Sequence, residues 1–316
     1  MKILSKTSTD RTNERTSDKV FRILSLAGAV VILIIMLGLF IELFNNSLLS
    51  IKKFGINFLI ADIWNPVKGE FGAAASIWGT LISTLIAMII ALPLGILIAF
   101  ALVELLPQKI SNVIGTAIEL LAAVPSIIYG MWGLFVFAPF MANYIQPVLQ
   151  SIFGETGLFA GPPLGIGMLT AGIILAFMIL PFIASVIRDI FLMVPAVVKE
   201  SAHGMGSTLW EVTSKVTLRY GMQGIIGGAM LGLGRAIGET MAVTFVIGNS
   251  HKISTSLFAP ANSITATLAN EFAEASEPLY LSSLIELGLI LFLITFIIQV
   301  FSQLWLKKIK KTMGVQ

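Results

Sequence analysis

Long runs of hydrophobic residues alternate with shorter polar segments along this chain. The runs lie at about residues 23–44, 77–103, 113–140, 168–187, 225–247 and 281–306. Each run reaches the ~20 apolar residues that a helix needs to cross the hydrocarbon core of a bilayer. Because lipid admits only structures that satisfy their own backbone hydrogen bonds, the pattern predicts an all-α integral membrane protein with six transmembrane helices.

The polar segments predict how the chain is divided. Residues 1–20 are rich in Ser, Thr, Lys and Arg and are predicted to form a flexible cytoplasmic tail. Residues 21–44 are predicted to be an uncleaved N-terminal anchor, because the run is long enough to span and no A-x-A-like cleavage site follows it. An external loop is predicted at 45–75, the main transmembrane domain at 76–306, and a basic tail at 307–316.

Composition supports the membrane assignment. Of the 316 residues, 56% are hydrophobic and only 12% are charged, which excludes an ordinary soluble domain. The sequence contains no cysteine, so disulfides and thiolate metal sites are excluded. The two histidines, His203 and His251, form no metal-binding pattern and are expected to be solvated loop residues.

The distribution of Lys and Arg predicts the orientation of the helices. If both termini are cytoplasmic, the external segments carry Lys52, Lys53, Lys68 and Lys252. The cytoplasmic segments then carry Lys2, Lys6, Arg11, Arg15, Lys19, Arg22, Lys109, Arg188, Lys199, Lys215, Arg219, Lys307, Lys308, Lys310 and Lys311. Because cytoplasmic loops are enriched in basic residues, we predict cytoplasmic N- and C-termini. The net charge of +3 is thus a topology signal and gives no reason to expect nucleic acid binding.

The segment 195–218 is too polar to span a bilayer and falls on the predicted cytoplasmic side. Pro195 suits the first turn of a helix that would end at Gly204–Gly206. Thr208, with Glu211 three residues later, forms a capping-box pattern, which predicts a second short helix. Taken alone, this amphipathic pattern is also typical of a loop that lies on the bilayer surface.

The fifth hydrophobic run is rich in glycine. Glycines recur every four residues on two neighbouring faces, at Gly224, Gly228 and Gly232 and at Gly234 and Gly238. Such small-residue stripes predict close packing against other helices.

The same run carries two charges, Arg235 and Glu239. Arg235 lies ten residues after Ile225, which places it ~15 Å deep at ~1.5 Å per residue. An arginine there costs at least ~2.5–3.5 kcal/mol and needs a partner or a wet cavity. Glu239, one turn further, can supply the partner. We therefore predict that Arg235 and Glu239 line a substrate pathway, with a closed ion pair that only stabilises the bundle as the alternative.

Pro125 predicts a kink in the third run, next to Ser126 and Tyr129. The two hydroxyls lie on roughly one face and are assigned to the same pathway, although an interhelical contact explains them equally well. Glu119 and Glu286 are further acidic residues inside hydrophobic runs. Either could counter Arg235 or lie near an interface.

The polar segment also carries a recognisable spacing. The segment resembles a signature of ABC importer permeases, which reads E-A-A, three residues, G, nine residues, I-x-L-P. The matching positions are Glu200, Ala202, Gly206, Val216 and Leu218. Ser201 replaces the middle alanine, and Arg219 replaces the terminal proline. The stretches AAVPSIIYGMWG at 122–133 and GLGRAIGETMAVTFVIGN at 232–249 resemble the PstC family of phosphate-specific permeases, and the likeness covers most of residues 76–303.

The resemblance implies a type I ABC importer permease (MetI-like) core with one extra N-terminal helix, in the bacterial inner membrane. It implies ATP-driven import of inorganic phosphate, with the five signature residues coupling the chain to an ATPase. It also implies a second permease resembling PstA, an ATPase resembling PstB and an external phosphate-binding protein resembling PstS. No cofactor and no catalysis are expected on this chain, because it has no P-loop or other catalytic motif and a partner would use the ATP.

Two other classes remain open on the residues alone. An ion-coupled secondary transporter or channel could use Arg235 and Glu239 as a relay, but it would not need the polar segment 195–218. The glycine stripes alone, which allow close helix packing, would also suit a non-conducting membrane scaffold or signalling subunit.

Overall fold

A computed structural model describes residues 16–154 and 157–312 of the chain. Most of the predicted N-terminal tail and the last four residues of the basic tail lie outside the described residues. In chain order the helices are α1 (Thr16–Phe54), α2 (Asn57–Ile60), α3 (Ala74–Phe100), α4 (Gln108–Ala122), α5 (Ser126–Trp132), α6 (Ala138–Phe140), α7 (Gln146–Phe153), α8 (Met168–Leu192), α9 (Ala196–Gly204), α10 (Leu209–Val212), α11 (Leu218–Ile237), α12 (Met241–Val246), α13 (Ile264–Glu271) and α14 (Pro278–Thr312).

Within the described residues, five helical stretches are long and apolar enough to cross a membrane. They are Asp18–Phe54, Ala74–Leu105, Ser126–Phe153, Met168–Leu192 and Pro278–Lys308. The third of these is α5 to α7, joined into one rod by π-helical turns. The predicted all-α membrane fold is thus confirmed, and four of the six predicted runs each lie within one of these stretches.

The predicted run at 113–140 is not one kinked helix. It is divided after Ala122, and Pro125 adopts an extended backbone (φ −57°, ψ 135°) immediately before α5. A proline disfavours helical geometry in the residue before it, so the chain breaks here instead of bending. As a result α4 is a separate amphipathic helix, and the spanning helix begins at Ser126.

The predicted run at 225–247 is also divided, between α11 and α12, and it is not among the five spanning stretches. Its N-terminal end differs from the prediction as well. The capping box at Thr208 starts α10, but a π-helical turn at Thr213–Thr217 then joins α10 to α11. The second helix of the polar segment is therefore not a separate short helix, and Arg219 lies inside a continuous rod instead of at a helix end.

The N-terminal helix lies at the edge of the bundle. α1 continues to Phe54, so the predicted loop at 45–75 begins later than its pattern indicates. α1 packs along α14, where the backbone N–H of Ser50 donates to Ser282 Oγ (3.2 Å) and that hydroxyl donates to the Asn46 carbonyl (2.7 Å). Its most apolar window is 0% buried within the chain, as expected for a peripheral helix that faces lipid.

The centre of the bundle is α8. Its spanning window is 67% buried, against 28% for α3. The two helices approach each other closely through small residues, because Gly95 lies against Ile183 and Gly172 lies against Ile86. α8 therefore provides the fixed surface on which α3, α4 and α11 pack.

Candidate functional site

The first glycine stripe of α11 faces α8. A Cβ at Gly224, Gly228 or Gly232 would come within 2.7–2.9 Å of an α8 side chain, namely Ile190, Val186 and Ile183 in that order. These glycines therefore set the close approach of the two helices. The second predicted stripe differs: a Cβ at Gly234 would meet nothing within 4 Å, and one at Gly238 would meet only carbonyls of its own turn. Packing within this chain gives no reason for glycine at those two positions.

Arg235 lies near the end of α11 and is exposed on the surface of the chain. Its guanidinium stands over the ring of Phe182 on α8, 5.7 Å from the ring centroid. It forms no salt bridge with Glu239 or with any other acidic residue in the part of the chain that is described. The predicted ion pair is therefore absent. Its premise was a continuous helix, and α11 ends at Ile237, so Glu239 does not follow Arg235 by one helical turn.

Glu239 instead stabilises the break between α11 and α12. Its Oε1 accepts a hydrogen bond from the backbone N–H of Ala242 (3.2 Å), in the first turn of α12. Its backbone carbonyl accepts one from the hydroxyl of Thr265 on α13 (2.7 Å). Backbone groups freed at a helix break in lipid need such partners. Glu239 thus holds the break in place and leaves the charge of Arg235 uncompensated.

The break at Pro125 lies beside this region. The Tyr129 hydroxyl donates to the carbonyl of Leu121 in the last turn of α4 (3.1 Å), which also accepts from the backbone N–H of Val124 (3.3 Å). The charge of Arg235 lies within electrostatic reach of the same hydroxyl, but no hydrogen bond joins the two side chains in the described residues. Ser126 lies half-buried at the start of α5.

Glu119 and Glu286, the two acids considered as partners, do not pair with Arg235. Glu119 on α4 pairs with Arg188 on α8, with 3.0 Å between Oε1 and Nη1. Glu286 on α14 is 7% exposed and hydrogen-bonds Ser50 on α1. Both residues join neighbouring helices within the chain.

The coupling segment, residues 195–218, contains a tight turn between α9 and α10. Gly206 has φ +87°, a conformation that side chains with a Cβ rarely adopt. The turn is closed by hydrogen bonds from the N–H of Gly206 to the His203 carbonyl (2.9 Å) and from the N–H of Ser207 to the Ala202 carbonyl (3.2 Å). Conformation, and not lack of space, therefore requires glycine at 206, since a Cβ there would meet nothing within 4 Å.

The predicted capping box at the start of α10 is confirmed. The N–H of Glu211 donates to Thr208 Oγ1 (3.3 Å), and the N–H of Thr208 donates to Glu211 Oε2 (3.0 Å). The hydrogen bond from the Thr208 backbone, followed by those from Lys215 and the Thr208 hydroxyl, lowers the pKa of Glu211 to about 2. The cap is therefore charged and intact at neutral pH.

The coupling segment exposes both polar and apolar side chains. Glu200 and Gly206 are exposed, Ala202 is buried, and Val216 and Leu218 are half-buried. The segment's most exposed large apolar side chains are Val197 (71%), Met205 (83%) and Trp210 (65%). Exposed apolar groups of this kind mark a surface that contacts another protein or the membrane.

A cluster between the predicted external loops was not predicted. His251, expected to be solvated, has a side chain that is only 18% exposed, and its Nε2 lies 3.0 Å from Glu271 Oε1. Trp64 stacks on its ring at 5.3 Å. Glu271 also accepts hydrogen bonds from Trp64 and Tyr280, both at 2.6 Å. Burial raises the pKa of Glu271, but the hydrogen bonds from His251, Tyr280 and Trp64 outweigh it and lower the pKa overall.

A spanning helical bundle that carries a polar helix–turn–helix and an unpaired arginine on a broken inner helix has the features of a transporter permease. The chain belongs to the family described as binding-protein-dependent transport system inner membrane component, whose profile matches residues 91–311.

Relatives cover nearly the whole chain. The phosphate transport system permease protein PstC of Mesorhizobium japonicum is 55% identical over 94% of this chain and 92% of its own length. The protein of the same name from Pasteurella multocida is 50% identical over 97% of both chains. The probable phosphate transport system permease protein PstC of Methanocaldococcus jannaschii is 37% identical over 91% of this chain and 93% of its own.

Solved structures share the fold. A chain from the crystal structure of a bacterial ABC transporter involved in the import of the acidic polysaccharide alginate superposes with a TM-score of 0.59 at 15% identity, covering 93% of this chain and 99% of that one. A chain of the inward-facing MetNI methionine ABC transporter superposes with a TM-score of 0.53 at 17% identity, over 77% of this chain and 95% of that one. The predicted MetI-like ABC importer permease fold is therefore confirmed.

Proposed function

We propose that this chain is the permease subunit of an ATP-driven importer that moves inorganic phosphate across the bacterial inner membrane. The observation that carries the proposal is the uncompensated Arg235 on the exposed face of α11. The names of the relatives support phosphate as the substrate.

The surroundings of α11 favour a wet or covered pathway. The helix packs against the spanning helices α3, α8 and α14, yet it is not itself apolar enough to count as a spanning stretch. An arginine that faces lipid at this level is costly, so its face must be covered by a second chain or by water. The open space beside Gly234, and the exposed Leu231 and Met241, leave room for either.

The chemistry of Arg235 suits an oxyanion. A guanidinium presents N–H donors in a fork that matches the oxygens of a phosphate, and it stays charged at every physiological pH. Glu239 forms no salt bridge with it, and its carboxylate accepts a hydrogen bond from the Ala242 N–H instead. Tyr129 adds a hydroxyl within electrostatic reach of the same charge. A relay between Arg235 and Glu239, as in the secondary-transporter alternative, would need the two side chains in contact.

The coupling segment can transmit movements driven by ATP hydrolysis to the site at Arg235. α10 and α11 form one continuous rod through the turn at Thr213–Thr217, so a displacement at Thr208 acts on the helix that carries Arg235. Nucleotide binding in a partner would then shift the rod between two arrangements, which opens the pathway to one side or the other. We also propose that both termini are cytoplasmic, which the excess of Lys and Arg in the segments that would then face the cytoplasm supports.

The proposal also assigns partners. A second permease resembling PstA covers the open face of α11, and an ATPase resembling PstB binds the coupling segment through Glu200, Gly206 and the exposed apolar residues around them. A phosphate-binding protein resembling PstS delivers the anion from outside. ATP is used by the ATPase, and this chain binds no cofactor and catalyses no reaction.

Co-expression and reconstitution test the proposal. The chain should co-purify with the second permease and the ATPase, and proteoliposomes holding the complex should take up radiolabelled phosphate only with internal ATP and the external binding protein. Sulfate in place of phosphate is the control for the anion. Uptake without ATP, or equal uptake of sulfate, would contradict the assignment.

A further inference from the structure

A buried ion pair lies where the coupling segment meets the bundle. Glu104 belongs to the π-helical turn Ala101–Leu105 that ends α3. Its Oε1 lies 2.6 Å from Lys199 Nζ and accepts a hydrogen bond from Thr217 Oγ1 at 3.3 Å. The side chains of Glu104 and Lys199 are 10% and 17% exposed, and Thr217 is fully buried.

The three side chains come from three different elements. Lys199 lies in α9, directly before Glu200, and Thr217 lies in the turn through which α10 continues into α11. One carboxylate oxygen therefore joins the coupling helix α9, the end of spanning helix α3 and the base of the helix that bears Arg235. The end of α3 is bonded in turn to α4, because the Ser111 hydroxyl donates to the Leu102 carbonyl (2.6 Å).

Stability alone does not explain a pair placed in this way. Desolvation of two charges offsets much of their attraction, and apolar side chains of similar size often serve stability equally well. The segment also has a second ion pair, Lys215–Glu211 at 3.1 Å, with side chains 71% and 41% exposed. That pair lies within one helical stretch and joins no two elements. The two pairs join the same types of charged group, but Glu104–Lys199 is buried and connects separate elements, whereas Lys215–Glu211 is exposed and lies within one helical stretch.

We propose that Glu104 is a positioning residue for energy coupling: it locks α9, the end of α3 and the base of α11 into one body, so that movement of the coupling segment reaches the transport pathway. This inference rests on the proposed function. A body held by charged hydrogen bonds transmits a displacement, whereas separate elements in contact could slide past one another.

The test is the amount of phosphate taken up per ATP hydrolysed, measured in proteoliposomes that contain the complete complex. Glu104→Gln keeps an acceptor for Thr217 but removes the charge, and Lys199→Met removes the cation. Each should lower uptake per ATP by about tenfold, within the range usual for coupling between two sites, while the basal ATP hydrolysis of the assembled complex remains. Lys215→Met, which breaks the exposed pair within one helical stretch, is the comparison variant: it can weaken ATPase binding, but the complexes that assemble should keep the parental uptake per ATP.

The reciprocal exchange Glu104→Lys with Lys199→Glu restores a pair between the same elements and should recover much of the ratio. Single variants with the parental ratio would overturn the proposal, and so would an exchange that assembles but stays uncoupled. Loss of assembly in the single variants and the exchange alike, measured by co-purification, would show that the pair serves folding only. A parental complex without ATP-dependent uptake would instead refute the proposed function.

A second measurement does not depend on transport. Because the chain has no cysteine, Ala196→Cys at the start of α9 and Leu105→Cys at the end of α3 introduce two spin-label positions, both exposed in the structure, for complexes with cysteine-free partners. The distance between the labels should stay constant when nucleotide binds to the otherwise parental complex, and it should change or broaden with Glu104→Gln added. A nucleotide-dependent distance in the otherwise parental complex would show that α9 and α3 move separately and would overturn the proposal.

Discussion

Charged side chains at the two ends of the rod formed by α10 and α11 differ in whether they have partners. One end lies in the coupling segment, and the other is the broken helix that carries Arg235. In the coupling segment, Glu211 is held by Thr208 and Lys215. At the other end, Arg235 has the ring of Phe182 beside it and no acidic partner in the described chain. The nearby Glu239 could have supplied one, but its carboxylate caps the start of α12.

This difference separates charges that belong to the fold from a charge that is available to a ligand. In the coupling segment, the Glu211 carboxylate is hydrogen-bonded to neighbouring side chains and backbone, so replacing Glu211 or one of its partners changes the local geometry. Where a cation is left open in a membrane bundle, the missing counter-charge must come from water, another chain or an anion. The comparison therefore predicts that variants at Arg235 affect transport without affecting assembly, and that variants in the segment affect the partner ATPase first.

Arg235→Gln should have the largest effect. It retains hydrogen-bonding capacity but removes the charge, and a charged hydrogen bond contributes about 1.5–3 kcal/mol, so phosphate uptake should fall by more than about tenfold. Complex abundance should stay normal, because a neutral amide is cheaper to bury and the contact with Phe182 that is lost contributes only about 0.5–1 kcal/mol at an exposed site. Uptake and co-purification in the same membranes measure the two quantities.

Arg219→Gln is the matched control, since Arg219 is an exposed arginine near the start of the same helix. It should transport at close to the parental rate. Arg235→Lys should lie between the two, because it keeps the charge and loses the fork. If Arg235→Gln took up phosphate at the parental rate, Arg235 would not belong to the pathway. The difference between the two ends of the rod would then concern structure and not transport.

Gly206→Val should have the next largest effect. Valine at φ +87° is strained by about 1–3 kcal/mol, so the turn between α9 and α10 should open and ATPase binding should weaken by about fivefold or more. Gly204→Ala is the control, because Gly204 ends α9 without that conformation and a Cβ there would meet nothing within 4 Å. If Gly206→Val left ATPase association and uptake intact, the coupling role of this turn would be wrong.

Sequence predicted the coupling segment well because its signals are local. The capping box needs two residues three apart, and the left-handed turn needs a glycine, so neighbours alone decide both. The end of the second helix was predicted wrongly for the same reason: nothing in the segment stops the helix, and the rod continues through Thr213–Thr217 into α11.

The broken helix was predicted less well because its geometry depends on distant residues. The run at 225–247 contains no proline, and its break at 238–240 is stabilised from outside by Thr265 on α13. Pairing Arg235 with Glu239 assumed a continuous helix. The cluster around His251 was missed since its partners Trp64 and Glu271 come from separate parts of the chain.

Glu200→Ala should have a smaller effect than Gly206→Val and should separate partner contacts from internal ones. Glu200 is exposed and has no hydrogen bond or ion pair within the described chain, so its removal should leave the thermal stability of the isolated permease unchanged. One lost intermolecular hydrogen bond contributes about 0.5–1.5 kcal/mol, so ATPase affinity should fall by about two- to tenfold. A change in stability without a change in affinity would contradict the docking role and place Glu200 in the fold of α9.

Protonation of Glu211 should have the smallest effect, because the side chain is exposed and the interaction is local. The hydrogen bonds from Thr208 and Lys215 lower its pKa from 4.5 to about 2, so the stability that they contribute is fully present above pH 4.5 and is lost as the pH falls toward about 2. Hydrogen exchange at residues 209–212, corrected for its intrinsic pH dependence, should therefore show constant protection at neutral pH and a loss of protection only in acid. Thr208→Ala, which removes the hydroxyl half of the cap, should lower protection at neutral pH and weaken its dependence on acid. If protection in the parental chain already fell between neutral pH and pH 4.5, another group would be titrating and the charge of the cap would not stabilise the start of the rod that leads to Arg235.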